Sequence, residues 1–244
     1  VSAFTKIVTV ETRLFLREPS VLVFAVLFPT LLLLVLGAVP ALRTPDPVFG
    51  GSTFVDSYAP SLVVVTLAFL GLNRLPTVLA TYRERGVLRR LSTTPVHPAA
   101  LLVAQLVINL VAAVVAVLLL LVVGKLVFDV RLPAHPVGFA AAFLLGTASL
   151  FALGLLIAAL APTSRSAAGA ATVLFLLIMF FGGVYLPRFL LPDVLVRIGD
   201  VTPPGVRALQ DAWTGTAPQP LHLVTMAVVA LAAGAVAART FRWE

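Results

Sequence analysis

The sequence predicts an all-α polytopic membrane protein with six transmembrane helices, and three observations carry that prediction. Of 244 residues, 60% are hydrophobic and only 11% charged, less than half the share of charge with which a typical soluble domain meets water. The apolar residues gather in six stretches, near 21–39, 60–80, 100–124, 138–160, 167–186 and 219–238. Each is close to the ~20 residues a helix needs to cross a hydrocarbon core of about 30 Å. The breaks between them hold most of the Arg, Asp and Pro. A soluble enzyme is excluded, and six crossings leave no room in this length for a second globular domain. There is no cysteine, hence no disulfide framework, thiolate metal site or cysteine nucleophile.

The first element, residues 1–19, reads as an amphipathic helix lying at the membrane surface. At 100° per residue Lys6, Arg13 and Arg17 project within about 40° of one another, opposite Phe4, Ile7, Leu14 and Phe15. Pro19 ends it. Glu11 and Glu18 fall inside the apolar arc, where lipid disfavours a carboxylate, so either they meet a basic protein group or they snorkel to the membrane edge. The helix also separates the first span from a signal peptide, whose leading region is short and basic.

The second span carries Asn73 and Arg74 about six residues from its cytoplasmic end, with Pro76 predicting a kink. A charge at membrane depth is costly, which makes Arg74 a functional candidate alongside simple snorkelling. The loop that follows, residues 82–92, contains Arg83, Glu84, Arg85, Gly86, Val87, Leu88, Arg89, Arg90 and Leu91. Wound as a helix it presents Val87, Leu88 and Leu91 as a narrow apolar ridge with Glu84 in its middle and arginines at its rim. Two readings fit it: a basic loop on lipid headgroups, or a docking helix for a cytosolic protein.

In the third span Gln105 and Asn109 sit four apart and share a face. They fit either a substrate path or interhelical hydrogen-bond glue. The fifth span holds Gly169, Gly182 and Gly183, small enough for close helix or subunit approach. Residues 187–218 read as outer short helices. One opens at Pro192-Asp193 and closes at Gly199; the next has Thr202 as N-cap with Pro203 in its first turn and closes at Gly215. Their apolar residues, Val206, Leu209 and Trp213 among them, predict a lid packed into the outer leaflet. The sixth span and a cytoplasmic tail complete the chain at 219–244. His97, His135 and His222 have no ligand-spaced partner, so no metal site is expected.

Six crossings place both termini on one side. That side carries Lys6, Arg13, Arg17, Arg83, Arg85, Arg89, Arg90, Arg165, Arg239 and Arg242. The other carries Arg43, Lys125, Arg131, Arg188, Arg197 and Arg207, matched by six aspartates. Ten against six makes the termini cytoplasmic by the positive-inside rule. The net charge of +7 is therefore a topological signal and implies no nucleic-acid partner.

Four features in this order are an N-terminal helix ending in Arg17-Glu18-Pro19, Phe28-Pro29 in the first span, the loop Arg83–Leu91 with Thr94-Pro95 behind it, and a proline-punctuated outer segment. Together they resemble the membrane subunit of ABC-2 type exporters, most closely the short bacterial permeases of the daunorubicin-resistance kind, over essentially the whole chain. The resemblance implies a single transmembrane domain, residues 1–244, in the bacterial cytoplasmic membrane. It implies pairing with a second permease chain, identical or paralogous, and with two cytosolic ATP-binding cassette subunits. Residues 83–91 then become the coupling helix, and the N-terminal helix with Glu11, Arg13, Arg17 and Glu18 the connecting helix. ATP and Mg would be bound by the partner, since this chain has no phosphate loop: Gly124-Lys125 is followed by Leu126 at a span end. No cofactor is expected here, and no catalysis.

An apolar interior with few fixed charges suits a hydrophobic or amphipathic cargo such as a drug, natural product or lipid, with Asn73, Arg74, Gln105 and Asn109 as candidates for its path. Two rival classes remain: an ATP-independent carrier or channel, and an intramembrane serine protease using Ser149 of the fourth span and His222 of the sixth. The latter lacks a Gly-x-Ser-x-Gly setting.

Overall fold

A computed structural model describes residues 3–92, 99–185, 192, 194, 199 and 205–241. Its described residues contain no strand. An amphipathic helix α1 (Ala3–Leu16) precedes the first span, α2 (Pro19–Ala38). The second span, α3 (Phe54–Glu84), leads into a short helix α4 (Val87–Ser92). Spans three to five are α5 (Ala99–Phe128), α6 (Pro136–Leu160) and α7 (Ser164–Phe181). An outer helix α8 (Val206–Thr214) and the sixth span α9 (Pro220–Thr240) follow. All six are long and apolar enough to cross a membrane.

Local chemistry sets the helix ends. Pro19 occupies the first turn of α2, and Glu18 before it leaves the helical region at φ −95° and ψ 89°, which separates α2 from α1. Thr53 caps α3 through its hydroxyl to the Asp56 amide, and Thr163 forms a reciprocal capping box with Ser166 at the start of α7. His135 Nδ1 accepts the Gly138 amide at the start of α6, giving this histidine a capping role.

Two prolines reshape the first two spans. Residues Leu22–Leu27 of α2 and Phe69–Arg74 of α3 form π-helical turns, each directly upstream of a proline, Pro29 and Pro76. The last amide before each proline reaches back five residues, Phe28 to the Val23 carbonyl and Leu75 to Leu70. Since proline has no N–H, the next carbonyl, Gly71 in α3, loses both of its helical donors.

The long second span is the centre of the molecule. Of its apolar window 72% is buried, against 22% for spans five and six. Its outer half packs on α2 and α8, its middle on α6 and α7, and its inner third on α6 and α7 again. The sixth span packs chiefly on α6, and α1 lies against α5. At 31 residues α3 is about 46 Å long at 1.5 Å per residue, so its last turns project beyond a ~30 Å core.

On the outer side α8 runs between two left-handed glycines, Gly205 at φ +65° and Gly215 at φ +99°. It buries Val206, Leu209 and Trp213, with the indole edge-on to Phe139 at 5.8 Å. The Ala212 and Trp213 carbonyls accept the amides of His135 and Ala134, tying the helix to the start of α6. Most of the other outer stretch, residues 193 and 195–198, and the expected cap at Thr202-Pro203 lie outside the described residues.

Candidate functional site

Three elements converge where α1 meets the spans. Glu11 of α1 is buried, and its Oε2 accepts from the Tyr82 hydroxyl of α3 at 2.8 Å and from Gln105 Nε2 of α5 at 2.6 Å. Arg74 of α3 donates through Nη1 to Gln105 Oε1 at 3.1 Å and sets Nη2 3.5 Å from Glu18 Oε2. Its guanidinium also stacks 4.5 Å from the centre of the Phe15 ring. One buried polar network thus joins α1, the entry to α2, α3 and α5. Burial holds the Glu11 carboxyl above its usual range, opposed by the Tyr82 hydrogen bond, the Arg74 charge and Gln105.

Glu18 therefore meets a basic protein group, Arg74 of the same chain, and Glu11 reaches the same guanidinium through Gln105 and feels its charge. Gln105 and Asn109 are fully buried within this one chain. Gln105 bridges Glu11 and Arg74, and Asn109 Nδ2 donates to the Gln105 carbonyl. Gln105 thus ties its helix to α1 and α3, whereas the one bond of Asn109 lies within α5. Asn73 and Arg74, by contrast, line an open cavity beside α1. Arg13 and Arg17 are exposed.

Below this network α3 ends in a two-sided clamp. Arg83 Nη1 donates to the Ala158 carbonyl at 2.9 Å, and Nη2 to that of Ala161, at the C-terminal end of α6. Glu84 takes the Ser164 amide at 2.8 Å and its hydroxyl at 2.7 Å, at the first turn of α7. A cation on a helix C-terminus and an anion on a helix N-terminus both complement the helix dipoles and satisfy groups the helices leave unpaired. Glu84, which the sequence places in the middle of the 83–91 ridge, precedes the break at Gly86, where φ is +66°, and takes part in this clamp. Glu84→Ala is expected to speed amide hydrogen exchange at residues 164–166 with no change in α9. Unchanged exchange there would remove the clamp from the account.

Beyond Gly86, α4 shows Arg89 and Arg90 on its exposed side, with Arg85 exposed just before it. Val87 and Leu91 are half-buried and Leu88 is fully buried. The ridge expected to anchor a partner is thus turned at Leu88 into the chain itself, because a leucine beside the projecting end of α3 gains more by covering it than by facing water.

Sequence reasoning missed Tyr82, Phe15 and Ser164. Tyr82 stands 71 residues from Glu11 and Ser164 stands 80 from Glu84, and no local periodicity encodes a pairing at that separation. Among the described residues no group of His, Asp or Glu could hold a metal ion. Ser149 donates to the Gly146 carbonyl of its own helix at 2.9 Å, so its proton is committed there and the protease reading finds no support.

A family model described as ABC-2 type transporter matches residues 2–204. A comparison with curated proteins gave no match.

Proposed function

The chain belongs to the ABC-2 type transporter family, and we propose that it is the permease of an ATP-driven exporter. In this reading two permeases, identical or paralogous, form a path for a hydrophobic or amphipathic cargo. Two cytosolic ATPase subunits supply the work, with ATP and Mg bound there. The termini lie in the cytoplasm of a bacterial cell, on the side where basic residues dominate.

The observation that carries the reading is mechanical. Helix α4 hangs from the projecting end of the most buried span, and that end grips α6 and α7 through Arg83 and Glu84. Twelve residues further up, counted from Gly86, Arg74 grips α5 and, with Glu11 and Glu18, the amphipathic helix. A displacement of α4 would reach α1, α5, α6 and α7 by stiff helices and buried polar ties. Nucleotide-dependent closure of the ATPases then shifts the permeases between two states by binding them differently.

The exposed guanidinium groups of Arg89 and Arg90, in place of Leu88, are the points of contact with the ATPase. The double variant Arg89→Glu/Arg90→Glu is expected to abolish co-purification of an ATPase with a permease that still folds. Leu88→Asp should instead lower stability by about 3 kcal/mol or more, through a charge placed in a buried site. Full ATPase binding by the double variant would overturn the docking assignment.

A further inference from the structure

An open cavity of about 480 Å³ lies between α1, the start of α2 and the inner half of α3. Of the α3 residues that line it, Arg74, Thr77, Val78, Thr81 and Tyr82 follow one helix face, at intervals of 3, 4, 7 and 8, with Asn73 next to Arg74 and Arg85 just past the helix end. Leu14, Val21 and Phe69 give it apolar walls, and Glu18 supplies a carboxylate whose side chain is 45% exposed. Depth follows from Glu18, which directly precedes the first residue of the first span and lies 3.5 Å from the Arg74 guanidinium. The cavity therefore sits at the cytoplasmic edge of the hydrocarbon, where lipid headgroups meet acyl chains.

The hydrogen-bond inventory of this face is lopsided. Thr77 and Thr81 donate their hydroxyl protons to the carbonyls of Asn73 and Thr77, and Tyr82 donates to Glu11. Their three oxygens, with the Glu18 carboxylate, keep only acceptor capacity. The donors are the Arg74 guanidinium, whose side chain is 96% buried and whose Nε has no hydrogen-bond partner, and the Asn73 side-chain amide next to it; Arg85 lies three turns, about 16 Å, further along the axis. A ligand that satisfies both sets carries an oxyanion and an N–H cation a few ångströms apart, with an apolar tail.

We propose that this cavity binds an aminophospholipid of the cytoplasmic leaflet, its phosphate on Arg74, its primary ammonium on Glu18 and the hydroxyl oxygens, and its acyl chains along Leu14, Val21 and Phe69. The ammonium brings three N–H donors to the Glu18 carboxylate and to the hydroxyl oxygens of Thr77, Thr81 and Tyr82, whose own protons are already donated. A choline headgroup has the same charges and no N–H to give, and a glycerol headgroup lacks the cation. The lipid would seat the amphipathic helix against α3 without competing for the buried face of Glu11. The proposal is independent of any ATPase partner.

The test is native mass spectrometry of the delipidated full chain in detergent, titrated with dioctanoyl phosphatidylethanolamine, phosphatidylcholine and phosphatidylglycerol, and with soluble phosphoethanolamine. The ethanolamine lipid is expected to bind about tenfold more tightly than the choline lipid, the worth of one charge-assisted hydrogen bond. Glu18→Gln should erase that preference. Leu14→Trp, which fills the cavity from α1 and leaves every charged group in place, should weaken the ethanolamine lipid about tenfold with the lipid-free thermal midpoint unchanged. Equal binding of the three lipids, or undiminished binding by Leu14→Trp, would overturn the site. Phosphoethanolamine binding as tightly as the lipid would overturn the leaflet as its source.

Discussion

Gly154→Ala is expected to lower stability by about 3 kcal/mol, the upper end of ordinary overpacking, or a fall of roughly 10 °C in the thermal midpoint of the purified chain. A Cβ on Gly154 of α6 would stand 1.9 Å from the Gly71 carbonyl oxygen of α3, against a C···O contact of about 3.3 Å. Relief requires the two spans to separate by about 1.4 Å. The obstacle is backbone, held in the π-helical turn that Pro76 imposes, so no side-chain rotation can provide it. The Gly71 carbonyl is also the one that Pro76 deprives of its helical donors, and the bare Cα of Gly154 lets the α6 backbone come up against it.

Two further glycines grade the effect. Gly71→Ala places its Cβ 3.0 Å from the Leu150 backbone and Cβ and from Phe151, a tight contact that small shifts relieve, for a loss of about 1 kcal/mol. Gly169 of α7 meets nothing within 4 Å, so Gly169→Ala should leave the isolated chain unharmed and gain up to about 1 kcal/mol of helix propensity. Thermal unfolding of the three variants in one detergent checks the series. Equal midpoints for Gly154→Ala and Gly169→Ala would refute the close approach of α6 to α3. Within this chain Gly169 therefore makes no close helix approach.

Arg74→Leu is the second large effect, with an expected loss of about 2–3 kcal/mol at neutral pH. Truncating one partner of a fully buried ion pair costs about 3–5 kcal/mol. The lower figure applies because Glu18 is half exposed and its contact is 3.5 Å. The main cost falls on Glu11, which stays buried with Tyr82 and Gln105 as neutral partners and loses its nearby cation. A leucine side chain would keep contact with Phe15 but not the attraction of the guanidinium to its ring.

This variant carries a pH signature. Burial already raises the Glu11 pKa in the folded protein above its unfolded value, so the folded state binds the proton more tightly. The stability contributed by protonated Glu11 is fully present below the ordinary carboxylate pKa of about 4.3 and is lost as pH rises through the folded value. Removing Arg74 takes away one of the influences that lower that pKa and moves the upper edge of the window higher. The penalty of Arg74→Leu should therefore be smallest near pH 5 and grow toward pH 8. Adding Glu11→Gln should recover about half of the loss at pH 8 and flatten the pH dependence, since the buried charge is then gone. A penalty that does not vary with pH, or a double variant as unstable as the sum of the singles, would detach Glu11 from Arg74.

Much of the molecule was legible in local pattern. Six apolar stretches fixed six spans to within a few residues, except that the second span extends further at both ends than its apolar core. Its extra turns carry Asp56 and Tyr82 to Glu84, polar residues that a hydropathy reading trims away. The apolar arc of the first helix correctly marked Glu11 as misplaced, because 100° periodicity is a property of the helix alone. The same reasoning failed on α4: periodicity identifies an apolar ridge but is silent on which body covers it, and Leu88 is covered by its own chain.

By itself the sequence determined that this is a six-span membrane protein, and it marked Arg74, Glu11, Glu18 and the 83–91 segment as the residues that need explaining. Those conclusions rest on solvation, which acts residue by residue and is written in composition and period. Only the tertiary structure decided that Arg74 answers Glu11 and Glu18, that Arg83 and Glu84 clamp α6 to α7, and that Gly154 gives way to the Gly71 carbonyl. Each of these joins residues far apart in the chain through contacts of a few ångströms, and such contacts exist only once the stiff helices have been packed at a definite height and rotation.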